Sequence, residues 1–318
     1  MFYSENLKDV LFADFKSANI DEIVVVSGYL GPMPIQTLKD ECFDKKAVVV
    51  YGMFAKDGIQ ADLHKSLIKI NDERVSIRYS KTAVHSKIYL GLYKSEIICA
   101  KIGSANFSNS GLCNDGREVL VDADDSVFPN IKAYYSKVLE QCISCKDSSI
   151  TCKEKKIGSK MNDKDIDRRC LLSLLSNGNV PEKSGLNWGC GQGHVSEGDA
   201  YIRISCEDIE KYPDIFPPKK YLGASTENDV VEFIWDDGVV MSGLMEGTQE
   251  INNVIYPKQI SSNPRKSILG KYLRNRLGVS YDKVITKADL DAYGRTNIEI
   301  EMISEGVYRL DFSKGSNS

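Results

Sequence analysis

No stretch of this 318-residue sequence is long and apolar enough to cross a bilayer. The longest apolar runs, such as Ile23–Val26 and Ala47–Val50, are strand-sized, far below the roughly 20 residues a membrane helix needs. Met1–Asp9 lacks a basic stretch followed by an apolar segment, so no secretory leader is expected. With only 24 glycines and 42% hydrophobic residues, a collagen-like repeat and a disordered chain are excluded. No internal repeat or low-complexity tract is present. Neither sign of charge is in large excess: 41 Lys and Arg stand against 45 Asp and Glu, a net charge of -4. Taken whole, that total speaks weakly against a polyanionic partner.

The nine cysteines are odd in number and come without a leader, which points to reduced thiols and a cytoplasmic protein. Cys142-x2-Cys145-x6-Cys152, with Cys170 beyond, offers four thiols that in principle suit zinc. A second C-x2-C pair is missing, and Cys142 and Cys145 end an apolar helical pattern, so buried or incidental thiols are expected and no metal. His64 and His194 are isolated.

The length predicts two domains. Helical spacing appears at Leu7, Val10, Leu11 and Phe15, over Ile35–Phe43 and Asp62–Ile70, and along Phe128–Cys145. Strand patterns lie between: Glu22–Leu30, Ala47–Phe54, Val75–Tyr79, Val84–Tyr93, Glu96–Ile102 and Glu118–Asp122. This alternation predicts an α/β domain over 1–148, a buried mixed sheet flanked by helices. Residues 149–168 are polar and aperiodic and read as a linker. Residues 169–318 carry short strands separated by turn residues, with helices at Ser267–Leu277 and Lys287–Tyr293, and so predict a mainly-β barrel or sandwich.

The chemistry-bearing segment is Val84-His85-Ser86-Lys87-Ile88, then Gly103-Ser104-Ala105-Asn106, then Arg117-Glu118. On an extended strand His85 and Lys87 point to one face. That sets a nucleophile or proton shuttle beside a fixed positive charge. Ser104 and Asn106 repeat the spacing and add a hydroxyl and an amide. Together these groups suit an anionic tetrahedral centre such as a phosphodiester: imidazole attacks phosphorus, Lys neutralises oxygen, and neutral donors steady the transition state. Glu118 is a carboxylate able to hold an imidazole in the correct tautomer.

His85-x-Lys87 followed by Gly103-Ser104-x-Asn106 resembles the signature of the phospholipase D superfamily. Leu92 stands where that signature usually has Asp, and Glu118 matches a catalytic Glu of the restriction-endonuclease branch, the NgoFVII/BfiI type. The resemblance implies His85 as nucleophile, Lys87, Ser104 and Asn106 as phosphate ligands, and Glu118 as orienter of a histidine. Leaving-group protonation needs a second imidazole, and neither His64 nor His194 is followed by Lys two residues on. A homodimer through the N-terminal domain, with one composite site on a two-fold axis, is therefore expected. No carboxylate cluster for Mg²⁺ accompanies the motif, so metal-independent hydrolysis through a phosphohistidine, without a cofactor, is expected.

Charge divides unevenly in the second half. Residues 198–250 hold 12 acidic and 4 basic side chains, and residues 258–295 hold 9 basic and 3 acidic. Phosphate binding needs a local basic face rather than a positive total. The basic group includes Lys258, Arg265, Lys266, Lys271, Arg274 and Arg276, beside a polar loop at Gly247–Asn253. Stretches such as Leu186-Asn187-Trp188-Gly189, Asp236-Asp237-Gly238 and Leu269-Gly270-x-Tyr272-Leu273-Arg274 resemble the B3-like DNA-binding pseudobarrel. That resemblance implies two arms in the major groove of double-stranded DNA. One arm carries Gln192 and His194. The other carries Gln249, Asn252, Asn253, Lys258 and Arg265, with Lys266 and Arg274 beside it. Gly189, Gly191 and Gly193 lack a following P-loop lysine, so no nucleotide loop is expected there. The reading that results is a Type II site-specific restriction endonuclease. A non-specific phosphodiesterase of the same superfamily and a DNA-binding regulator with an inactive nuclease fold are its alternatives. The chain has no NTPase motif, which leaves open a separate ATP-driven partner subunit.

Overall fold

The computed structural model describes residues 1–153, 169–191, 195–219 and 228–314. The chain divides into two compact units, Met1–Ser159 with Ser304–Val307, and Lys160–Ile303 with Tyr308–Ser318. Most of the expected linker, 154–168, lies outside the described residues.

The first unit runs β1 (Phe2–Tyr3), α1 (Leu7–Phe15), β2 (Glu22–Ser27), α2 (Pro32–Glu41), β3 (Lys46–Tyr51), α3 (Phe54–Asp57), α4 (Ala61–Ile70), β4 (Val75–Ser80), β5 (Ile88–Tyr93), β6 (Glu96–Gly103), α5 (Asn109–Leu112), β7 (Leu120–Asp122), α6 (Phe128–Glu140) and β8 (Cys142–Ser144). One eight-stranded sheet forms, in the order β1-β7-β6-β5-β2-β3-β4-β8. It is mixed: β2, β3 and β4 are parallel, and β5 returns antiparallel to β2. The centre of β2 is a β-branched run because both faces are covered. Val24 and Val26 pack toward Tyr135 and Val138 of α6, while Ile23 and Val25 are fully buried as well. The hairpin from β5 to β6 turns through Lys94 and Ser95, both at positive φ.

Three local expectations change. Helix α6 stops at Glu140, and Cys142–Ser144 pairs with β4 as an edge strand. The apolar pattern that suggests continued helix is spent on the sheet: Cys145 is buried and its N–H bonds Ile77 O. In α1, Phe12 is buried in place of Val10. Strand β5 starts at Ile88, leaving Val84–Lys87 outside the ladder.

The second unit runs β9 (Arg169–Ser173), a 3₁₀ turn at Gly185–Cys190, β10 (Ile202–Arg203), α7 (Cys206–Lys211), β11 (Asp229–Trp235), β12 (Val240–Glu246), β13 (Gln249–Ile251), β14 (Val254–Tyr256), β15 (Gln259–Ser262), α8 (Lys266–Leu277), α9 (Lys287–Tyr293), β16 (Asn297–Ser304) and β17 (Val307–Asp311). Seven strands form one sheet, β10-β15-β12-β11-β17-β16-β9, and β13 with β14 makes a separate hairpin. The end strands β9 and β10 approach each other, so the sheet is nearly closed around Phe233, Trp235, Ile260, Ile298 and Leu310, with Leu269 and Leu273 of α8 plugging it. This is a mainly-β pseudobarrel. Capping boxes, Ser205 with Asp208 and Thr286 with Asp289, start α7 and α9. Among the described residues no helix is long and apolar enough to cross a membrane.

Candidate active site

The parallel strands β2 and β3 end side by side, and the chain entering β5 crosses their carboxyl ends. In open α/β sheets that is where ligands bind. Backbone bonds tie the crossing down: Gly52 N–H to Ser27 O, Met53 N–H to Gly28 O, and Val84 N–H to Gly52 O. A Cβ on Gly52 would fall 2.0 Å from Val84 O, so only glycine admits this approach. His85 follows at once, exposed, its ring lying over Gly28, where an added Cβ would meet Cδ2 at 2.9 Å.

Lys87 is buried and turns back onto the imidazole. Its Nζ lies 3.1 Å from both His85 Nδ1 and Nε2 and donates to His85 O at 2.8 Å. Burial pushes its ammonium below the ordinary lysine range, partly offset by Glu118 and Glu305. Asn106 is buried too. Its Oδ1 accepts from Tyr29 N–H at 3.2 Å and from Ser27 Oγ at 3.5 Å, which aims Nδ2 the other way. Nδ2 donates to Glu305 Oε2 at 3.2 Å, within the same compact unit. Asn106 Oδ1 and the His85 ring both lie close to Gly28, so the two side chains share one site. Ser104 is exposed. Its Oγ accepts from Val119 N–H at 3.0 Å, which leaves its proton free to donate.

Among the described residues no carboxylate is hydrogen-bonded to the His85 ring. Glu118 instead exerts its charge on Lys87 and Tyr89. His64 is elsewhere, on α4, with Nδ1 2.9 Å from the Tyr79 hydroxyl, and burial lowers its pKa. Tyr29 is the residue that the sequence pattern does not single out. Its ring meets the His85 ring edge-on, with centroids 6.0 Å apart at 78°.

The nine cysteines are free thiols. Among the described residues no group of three or more His, Cys, Asp or Glu side chains is placed to hold a metal ion.

In the second unit the basic stretch is thinner than its count. Arg274 is fully buried, with one bond to Asn187 Oδ1 at 3.4 Å, so its expected place on a DNA-facing surface is corrected. Arg276 grips Asp236 through both carboxylate oxygens at 2.9 Å and donates to Phe312 O. Lys266 pairs with Glu246 at 2.7 Å. Burial alone would raise the Glu246 carboxyl, but Lys266 and Gln259 outweigh it and hold it low. The Gln249 amide is spent on Ile204 O and Pro257 O. Lys258, Arg265 and Lys271 remain exposed. Asn252 and Asn253 form the exposed β13–β14 turn, both at positive φ, which accounts for their residue type structurally. Gln192 and His194 lie outside the described residues.

A histidine, a buried lysine, a serine and an asparagine stand at the strand ends of this mixed sheet, and the domain that carries them is of phospholipase D type. Residues 5–152 match the family model of the NgoFVII restriction endonuclease N-terminal PLD domain, and residues 154–304 match that of the NgoFVII C-terminal B3-like DNA-binding domain. The chain belongs to the NgoFVII restriction endonuclease family: a nuclease domain joined to a domain whose partner is DNA. Similar solved structures include NucT from Helicobacter pylori, with 18% identity over 44% of this chain and 92% of that one, TM-score 0.33. Another is Nuc from Salmonella typhimurium, a phospholipase D family member, with 12% identity over 43% and 89%, TM-score 0.31. No curated protein matched in a sequence search.

Proposed function

We propose that this chain is a Type II restriction endonuclease that hydrolyses double-stranded DNA at a specific sequence, without metal, through a covalent phosphohistidine. The observation that carries the reading is the cluster of His85, Lys87 and Asn106. An imidazole nitrogen of His85 attacks phosphorus, and the P–O bond to the leaving oxygen breaks. Lys87, with the Asn106 amide and the Ser104 hydroxyl, neutralises and steadies the pentacovalent oxygens. The leaving oxygen takes its proton from a second imidazole. Water then attacks phosphorus, giving its proton back to that imidazole as the P–N bond breaks.

One chain supplies one such imidazole, so the reading requires His85 from two chains in a composite site formed by the N-terminal units. Glu118, unbonded to its own His85, serves as orienter of a histidine in that assembly. The B3-like unit selects the sequence, with Lys258 and Arg265 on phosphates and the Asn252–Asn253 turn toward base edges.

The test is plasmid cleavage in excess chelator, with sedimentation of the same protein. Discrete fragments from a dimer are expected, with cleavage lost in His85→Ala. Loss of cleavage in chelator sinks the metal-free mechanism, and an active monomer sinks the composite site. A smear indicates a non-specific nuclease, and intact plasmid with retained gel shift indicates a regulator.

A further inference from the structure

The His85 side chain is exposed, and among the described residues no carboxylate is hydrogen-bonded to its ring. Its hold comes from Lys87 on the nitrogen side, Gly28 beneath, and the edge-on Tyr29 ring. Tyr29 is itself fixed at three points. Its N–H is bonded to Asn106 Oδ1, its carbonyl accepts from Ser27 Oγ at 2.6 Å, and its hydroxyl donates to Asp57 Oδ2 at 2.7 Å. Asp57 closes α3, the short helix entered from the end of β3, so the anchor belongs to the same strand-end framework as the site. The Tyr51 ring backs it, with centroids 6.2 Å apart.

We propose that Tyr29, braced by Asp57, is a positioning residue that fixes the His85 imidazole in its attacking orientation. The proposal rests on His85 being the nucleophile. The Tyr29 hydroxyl is spent on Asp57, so the residue acts through its ring and exchanges no proton with substrate. Burial, then the Asp57 bond, raises its phenol to about 12, which keeps it a donor at working pH. Misplacing a reacting group by about 1 Å costs on the order of 10²-fold in rate, and an exposed imidazole without this wall is free to sample other rotamers.

The experiment uses full-length Tyr29→Leu, Tyr29→Phe and Asp57→Asn. Single-turnover cleavage in Tyr29→Leu is expected to fall about 10- to 100-fold with DNA affinity unchanged. Tyr29→Phe keeps the ring, so it rescues most of that loss, and Asp57→Asn matches it. The pH profile of Tyr29→Phe superimposes on wild type after scaling. The imidazole proton resonances of His85, one of three histidines, should shift in Tyr29→Leu through loss of the ring current and stay in place in Tyr29→Phe.

Wild-type cleavage in Tyr29→Leu, an unmoved His85 resonance, or a displaced pH limb in Tyr29→Phe overturns the proposal. If Tyr29→Leu does not fold, Tyr29→Met carries the test, because it too removes the ring and must shift the His85 resonance and slow cleavage. Full cleavage by His85→Ala would instead strike the nucleophile reading, and the resonance measurement stands apart from it.

Discussion

The Lys87 ammonium stands 3.1 Å from each ring nitrogen of His85, while its own stem is buried. In the proposed mechanism that charge faces a phosphate oxygen, and its burial costs desolvation. Lys87→Met should reduce cleavage by on the order of 10²-fold or more. Stability should move the other way. With the folded pKa depressed, the unfolded chain binds more protons between that value and the ordinary 10.5. Wild-type stability relative to Lys87→Met therefore rises as pH passes upward through that window, and at neutral pH the variant is at least as stable. Thermal melts of both proteins at neutral and alkaline pH check this, and a clearly less stable Lys87→Met at neutral pH would refute it.

Asn106 offers a cleaner deletion of one donor. Its Oδ1 is committed to the Tyr29 N–H, so Asn106→Asp keeps that bond and replaces the Nδ2 donor with negative charge. Cleavage should fall by about 10²- to 10³-fold, and the melting temperature should fall as well, because a buried carboxylate replaces a neutral amide. Single-turnover rates on a DNA substrate decide the matter.

The split of the basic stretch into outward and inward residues is measurable by salt titration. Lys258→Ala and Arg265→Ala should each weaken DNA binding across all sequences and reduce the salt slope by about 1. Arg274→Met should leave the slope alone, since that guanidinium is buried. Fluorescence anisotropy over a salt series separates the cases, and a reduced slope in Arg274→Met would contradict the placement.

Acid stability of the first unit should report Asp72. The Lys39 ammonium at 2.8 Å, then the Val75 and Arg74 N–H groups, hold its carboxyl down to about 2. A depressed folded value stabilises above the unfolded value of 3.8 and is lost as pH falls through about 2. The advantage of wild type over Asp72→Asn should thus be constant above about pH 5, shrink between pH 4 and 2, and vanish below. Melting temperatures across that range test it.

Much of this was legible in residue patterns, for physical reasons. Strands β2 and β3 are covered on both faces, so they read as unbroken β-branched runs. His85 and Lys87 do meet, but outside the ladder, with the buried lysine turned back onto the exposed ring rather than side by side on a strand face. Strands β1 and β8 were illegible because two or three residues carry no periodicity. Tyr29 was missed because its role arises where the end of β2 meets the approach to β5, a tertiary crossing. Arg274 and Arg276 were misread because a charge count does not tell an inward helix face from an outward one.

The two short strands that close the eight-stranded sheet have a consequence of their own. β1 offers two residues and β8 three, so neither border exposes a backbone row long enough to template another strand. Extension of the sheet from one molecule into the next is blocked at both borders. Contacts between copies of this unit would then fall to side chains and loops rather than to backbone pairing at those borders.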